Sequence, residues 1–524
     1  MYVYYCAARR SSAAEPRPAA LLADPGSPPP NEMTAQPDRV HPNITLAVLA
    51  VGALAYAVLS AAVVPALPTI QHDLHTSETG VTWLLTAYLL AASVGTSILG
   101  RLGDMYGKER VLLWTFVILA LGTLLAAVAD SLAVVIVGRA LQGAAGGIFP
   151  LAFGIVRDEF PREKVAGSIG LLSATLGVGG GLGIVGSGVI LQRLSWHWLF
   201  WIPLIVIVVA AVFTWRFVPE SPVRVPGRVN WGAAALMTVG ISAALLAVSE
   251  ATIWSWGSLK TLGLLAAGLV VCAAWVAVEA RSSEPLVDMT MMRIRGVWTT
   301  NVAAFLLGAG MYSSFVIIPQ FAQLPTGTGF GFGSSVVVSG LYLLPMTIAM
   351  MLMSLLAGPL ALRYGSRLSL LVGTVVTAAA FALLALAHAH PYDFLIGAGL
   401  MGIGIGLAFA ALGNLIVEAV PSHQTGVASG MNTVMRTLGG ALGAQIAATF
   451  IAAHVARGLP TVTGFTESFV LATGFLVVGI LAAAVVPRRR AARDTPATDT
   501  RNQPGRPTLG GHADRPAETA HPQA

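Results

Sequence analysis

Charge is what this chain has least of. Only 10% of its 524 residues are Asp, Glu, Lys or Arg, against about a quarter in an ordinary soluble domain. With 55% hydrophobic residues and a mean hydropathy of +0.75, a soluble globular chain is excluded and a bilayer protein is implied. Cysteine is nearly missing: Cys6 and Cys272 cannot build a disulfide framework or a thiolate metal site, so neither redox chemistry nor a metal is expected. Lysine occurs only as Lys108, Lys164 and Lys260, which with the abundance of Ala and Gly points to a GC-rich, bacterial genome. The formal charge of +6 does not call for nucleic acid, because basic loops that fix membrane orientation account for it. P-loop, HExxH and Ser/His/Asp signatures are also missing, and GAGLMG at Gly397, Gly399 and Gly402 lies in an apolar run with no preceding strand. No cofactor is expected, and the chain does not read as an enzyme.

What is present is long apolar runs. They recur at about 45–69, 80–99, 111–129, 132–155, 167–191, 198–217, 231–249, 261–279, 298–323, 335–357, 368–387, 393–418, 424–453 and 467–486, each near the length that crosses a bilayer as a helix. Fourteen transmembrane helices are predicted. Residues 1–43, rich in Pro, Ala, Ser and Arg, and 488–524, rich in Arg, Pro and Thr, read as disordered head and tail; Met33 offers a second start site. Arg101, Lys108, Arg110, Arg157, Arg162, Lys164, Arg216, Arg224, Arg228, Arg281, Arg293, Arg295, Arg363 and Arg367 collect on one side, against Arg193, Lys260 and Arg457 on the other. That asymmetry places both termini in the cytoplasm.

The chain repeats itself. Gly170, Gly179 and Gly183 recur as Gly430, Gly439 and Gly443 at an offset of 260, and Gly100, Tyr106 and Gly107 in GRLGDMYG recur as Gly358, Tyr364 and Gly365 in GPLALRYG at 258. Duplication of a six-helix unit is the simplest source, and transporters are commonly built from two such halves. The expected organisation is an N-terminal six-helix bundle at 44–218, a linker with two extra helices at 219–296, and a C-terminal six-helix bundle at 297–487. Loss of the two extra helices is expected to cost stability more than substrate choice.

GRLGDMYGKER, with Gly100, Asp104, Gly107, Lys108 and Arg110 in the loop after the second span, resembles the signature of the major facilitator superfamily, and implies a cytoplasmic gate whose charges pair across helix ends. Met105 and Glu109 stand where the pattern usually has bases, and Leu362 replaces the acid in the second copy, which implies asymmetric gating. Arg139 and Gln142 in GRALQGAAGG resemble the family's intramembrane arginine motif. Gly170, Gly179, Gly183 and Gly188 resemble its antiporter motif, although Ile184 replaces the usual proline. ALPTIQHDL at 66–74, TWLLTAYLL at 82–90, WHWLFWIPL at 196–204 and EPLVDMTMMR at 284–293 narrow the resemblance to the fourteen-span drug:proton antiporters. The resemblance implies an all-α polytopic protein of the bacterial inner membrane, with the major facilitator fold of two pseudo-symmetric six-helix bundles plus two inserted helices. It also implies a monomer that exports hydrophobic or amphiphilic compounds by alternating access.

Protons are the implied coupling ion, with Arg139 and Asp104 as coupling candidates. An intramembrane arginine normally faces the bundle interior or a wet cavity. Many of these antiporters carry an acid in the first span where this chain has Leu59, and its absence weakens cation specificity. Trp83, Tyr88, Gln142, Asn301, Tyr312, Gln320, Tyr342, Asn414 and Asn432 are the candidate lining for a bulky, largely apolar small-molecule substrate; Arg436 either faces the same cavity or pairs with a carbonyl. The alternatives are a gradient-coupled nutrient importer and, from another class, a polytopic membrane enzyme or sensor.

Overall fold

A computed structural model describes residues 42–221, 228–456 and 458–487. Residues 1–41 and 488–524, with Cys6, Arg224 and Arg457, lie outside the described residues. Among those described, fourteen helices are long and apolar enough to span a membrane. The first six are α1 (Pro42–Asp73), α2 (Gly80–Tyr106), α3 (Lys108–Ala127), α4 (Leu132–Glu159), α5 (Arg162–Arg193) and α6 (Trp198–Phe217). Two inserted helices follow, α7 (Trp231–Ser249) and α8 (Leu259–Glu279). The second set is α9 (Arg295–Gln323), α10 (Val337–Tyr364), α11 (Ser366–Leu386), α12 (Pro391–Ala419), α13 (Ser422–Ala453) and α14 (Val462–Val485). A short hairpin, β1 (Val455–Ala456) with β2 (Leu459–Pro460), joins the last two.

Local chemistry sets several boundaries. The side chains of Ser77, Asn230 and Ser258 accept hydrogen bonds from the backbone of Gly80, Ala233 and Thr261 and so start α2, α7 and α8. Gly107 and Gly365, the equivalent glycines of the repeat, have φ of +108° and +85°, a region that residues with a Cβ avoid. Each is the lone break between two helices. The gate segment is therefore not a loop, as its charge suggested, but two helices meeting at Gly107, with Gly100 and Asp104 inside the first. The charges tolerate a helix there because they are paired, as described below.

The two halves repeat one packing scheme. In each, the first and fifth helices lie together, α1 on α5 and α9 on α13, and the second packs on the fourth, α2 on α4 and α10 on α12. Across the halves α5 runs along α10 and α2 along α13. The glycine frames explain how. A Cβ on Gly179 or Gly183 would strike the α1 backbone at Val58, and one on Gly439 or Gly443 would strike the α9 backbone at Phe305 or Ala309. The first glycine of each frame faces the other half instead: Gly170 lies against the carbonyl of Ser354 in α10, and Gly430 against that of Thr96 in α2. Lipid removes the hydrophobic drive for helix association, so such close approach of small residues is a main source of cohesion.

The inserted pair packs on itself where Gly240 and Gly268 cross, and α7 then lies against both α2 and α13. Thr86 and Ser249 share a hydrogen bond at 3.3 Å on one side. On the other, Trp256 Nε1 donates to Thr449 Oγ1 at 2.7 Å and Gln445 Nε2 to Thr252 Oγ1 at 2.7 Å. The insert thus covers the seam between the halves rather than standing apart from them. Next to it, the buried carboxylate of Glu279 accepts from Trp275 Nε1 and the Leu286 backbone.

Candidate functional site

The cytoplasmic ends of the halves are joined by a charged latch. Asp104, fully buried near the end of α2, accepts from the backbone N–H of Gly426 at 3.3 Å and Val427 at 3.2 Å in the first turn of α13. A carboxylate at a helix N-terminus is stabilised by the orphan N–H groups and the helix dipole. Close approach there depends on Gly100 and Gly426, whose backbones touch. Arg157 at the end of α4 supplies the opposite sign: it donates to Val420 O at 2.7 Å, Pro421 O at 3.3 Å and Thr425 Oγ1 at 2.6 Å. An acid on the start of α13 and a base on the carbonyls that end α12 tie the two halves together here.

Lys108 supports the latch from below. Fully buried, its Nζ lies 2.5 Å from Asp158 Oδ2 and 3.6 Å from Asp104 Oδ1, and Ser221 Oγ donates to the same Asp158 oxygen. Beside it Glu109 lies within electrostatic range of Glu220, and Arg110 Nε lies 3.4 Å from Glu220 Oε2. The charge network reaches through Glu220 and Ser221 into the chain after α6. In the second repeat Leu362 points outward, 61% exposed, so only the first repeat carries a latch of this kind. Asp288, before α9, adds a tie by accepting from Gln424 Nε2 at 3.1 Å. Burial pushes its carboxyl up, but hydrogen bonds from Thr290, Met291 and Gln424 more than reverse this and hold it below the usual carboxylate range.

Deeper in the bundle lies a second polar cluster. Arg139, with no exposed surface, donates from Nε to Leu84 O at 3.2 Å and from Nη1 to Leu59 O at 3.3 Å and Gln142 Oε1 at 2.8 Å. Its guanidinium carbon lies 4.2 Å from the centroid of Tyr88, a cation–π geometry. Leu59 contributes only its carbonyl. The Tyr88 and Tyr56 rings lie side by side with centroids 6.2 Å apart. Tyr56 in turn lies within electrostatic range of Tyr312, and Arg436 of both Tyr312 and Tyr56. Arg436 sits 4.9 Å from the Phe409 centroid and borders a small void with Ser173, Asn432 and Ser429.

Of the lining candidates, Tyr88, Gln142 and Tyr312 meet in this cluster. Asn301 and Asn432 bond to each other at 3.0 Å, and Asn414 donates to Ala166 O of the other half at 3.4 Å. Trp83 and Gln320 lie exposed toward the outer ends of α2 and α9. Tyr342 packs against Phe332 and Phe394 in an aromatic cap. Gly188, near the outer end of α5, abuts Val337 of α10. Sequence reading missed Tyr56 and Asp158; Asp158 could have been suspected from RDEFPREK, whereas nothing in the sequence sets Tyr56 apart from an interfacial tyrosine.

Comparison with known proteins agrees with this architecture. The family model described as Major Facilitator Superfamily matches residues 49–444 and 300–516. The chain is 29% identical over 426 residues to the "Tetracenomycin C resistance and export protein" of Streptomyces glaucescens, covering 80% of this chain and 78% of that one. It is 28% identical over 371 residues to "Multidrug resistance protein 3" of Bacillus subtilis (strain 168), covering 70% and 71%. The crystal structure of the human organic anion transporter MFSD10 superposes with a TM-score of 0.62 over 84% of this chain and 99% of that one; at 15% identity the likeness is one of fold.

Proposed function

The chain belongs to the major facilitator superfamily, and from that premise we propose a secondary transporter that exports hydrophobic or amphiphilic drugs or metabolites across the cell membrane by alternating access. It is a multi-pass membrane protein that moves small molecules and is not an enzyme. The relatives named for multidrug resistance and for tetracenomycin C resistance and export support the outward direction. The observation that carries the mechanism is the latch of Asp104 on the N-terminus of α13. A buried charge bonded across two halves through helix ends can be released and remade as the halves rock, which is how such folds expose one site to either side.

In this reading each part has a task. The halves at 44–218 and 297–487 move, with the linker at 219–296 riding on their seam. Gly100, Asp104, Gly107, Lys108 and Arg110 form the inner gate. Gly170, Gly179, Gly183 and Gly188 let α5 approach α1 and α10 as they slide. The ligand sits near Tyr88, Gln142 and Tyr312. The coupling ion is the proton, carried through the region of Arg139 and Asp104, and the unit is a monomer. A guanidinium stays charged at working pH, so Arg139 acts by setting the field rather than by titrating.

Everted vesicles with an acidic interior test this reading. Compounds added outside should dissipate ΔpH with the native chain and at less than a tenth of that rate with Arg139→Ala present in equal, monodisperse amount. Equal dissipation by both chains, or none by the native chain across a broad drug panel, would contradict proton-linked export.

A further inference from the structure

Among the described residues, the middle of the membrane spans holds two guanidinium groups and no carboxylate. Every Asp and Glu in the described residues lies in a loop or near a helix end, with none in the middle of a span. Arg139 in the first half and Arg436 in the second both lie inside spans. Neither has an acidic neighbour: the titratable groups within electrostatic range of Arg139 are Tyr88 and Tyr56, and those of Arg436 are Tyr312 and Tyr56. Arg139 is held by carbonyls, an amide oxygen and a ring face. Among the described residues the Arg436 side chain makes no hydrogen bond or ion pair, and its guanidinium carbon lies 4.9 Å from the Phe409 centroid.

Burying a cation without an anion is expensive; Arg139 bears that cost in full, while Arg436, half-buried, borders the void with no counter-ion. Moreover, Nη2 of Arg139 and Nε2 of Gln142 are buried donors with no partner, and Ser429 Oγ, at the void beside Arg436, is a third buried polar atom without one. Unused donors beside unneutralised charge describe a site that still wants an acceptor. Tyr56 lies within electrostatic range of both arginines.

We propose that the ligand is an organic anion, an apolar or aromatic body bearing a carboxylate, sulfonate or phenolate, whose head is held between Arg139 and Arg436 while its body lies on Tyr88, Tyr312 and Phe409. Guanidinium suits this because it binds such heads through paired N–H donors and stacks on rings. The two charges come from opposite halves, so the head draws them together and the bound anion favours the doubly liganded states of the cycle. A monovalent anion leaving an inside-negative cell is also driven outward by the membrane potential, about fiftyfold per 100 mV. A carboxylate at position 59 would repel this ligand, and Leu59 does not.

This assignment rests on the export reading above, and two measurements separate them. The probes share one body and differ in the head: pyrenebutyrate, pyrenebutanol and pyrenebutyl-trimethylammonium. Thermal-shift titration of the purified full-length chain should give pyrenebutyrate at least tenfold tighter apparent binding than the alcohol, with the ammonium weakest. Arg139→Gln and Arg436→Gln should each remove about tenfold or more of that preference, and Arg436→Lys should restore part of it. Because Arg139→Gln could unfold the first half, Arg436→Gln, which breaks no hydrogen bond, keeps the test decisive. The proposal is overturned if no anionic probe binds, if the ammonium binds tightest, or if neither arginine variant changes the order. Accumulation in energised everted vesicles reads the other claim. The ammonium accumulating without the butyrate sinks the anion assignment and leaves export standing. Arginine-dependent binding with no probe accumulated sinks export and leaves the assignment standing.

Discussion

Asp104→Asn keeps the shape of the inner latch and removes its charge. The lost charge-assisted bonding to the α13 N-terminus is worth about 1–2 kcal/mol, a shift of roughly 5- to 30-fold toward states open to the cytoplasm. A cysteine at Ser429, buried in the latched form, should then react with an impermeant maleimide from the cytoplasmic face at least fivefold faster than in the Asp104 background. An unchanged labelling rate would remove the latch from the mechanism. Residues of this kind were partly legible. Asp104, Lys108 and Arg139 stand out because a charge near lipid needs a reason, but their partners do not. Asp158 and Arg157 are ordinary letters at a helix end, and the N–H donors to Asp104 and the carbonyl acceptors for Arg157 are backbone atoms more than 260 residues away, which no residue type announces.

Glycine separates the elements that must stay together from those that must part. Gly439→Ala drives a Cβ into the carbonyl of Phe305 within the second half, whereas Gly170→Ala sets one 2.7 Å from the carbonyl of Ser354 across the halves. Overpacking of this kind costs about 1–3 kcal/mol. Gly439→Ala should lower the melting temperature by several degrees. Gly170→Ala should leave it nearly unchanged and raise cytoplasmic labelling at Ser429→Cys. Equal loss of stability in both would deny that the two glycines serve different interfaces. The offset repeat made the duplicated helices readable, since period and spacing survive in the sequence. The division of labour within each glycine frame did not, because packing partners belong to the tertiary structure. The same holds for the inserted pair: its apolar length predicted two spans, but only the hydrogen bonds through Thr86, Trp256 and Gln445 place it over the seam.

At the scale of the whole molecule, fourteen spans and two related halves follow from hydropathy and repetition, and the inward-closed arrangement does not, since one sequence must encode every state of its cycle. Alternation between those states is the centre of the account. It is tested most directly by spin-label distances in a chain with Cys6 and Cys272 replaced by serine. One pair sits at Tyr106 and Tyr364, exposed equivalent positions at the cytoplasmic ends of α2 and α10; the other sits at Trp83 and Leu341, exposed equivalents at the outer ends. Rocking about a central site predicts two populations for each pair, changing in opposite senses when ligand or pH is varied, with Asp104→Asn enriching the long cytoplasmic distance. A single unchanging distance at the cytoplasmic pair, in protein shown to transport, would contradict it.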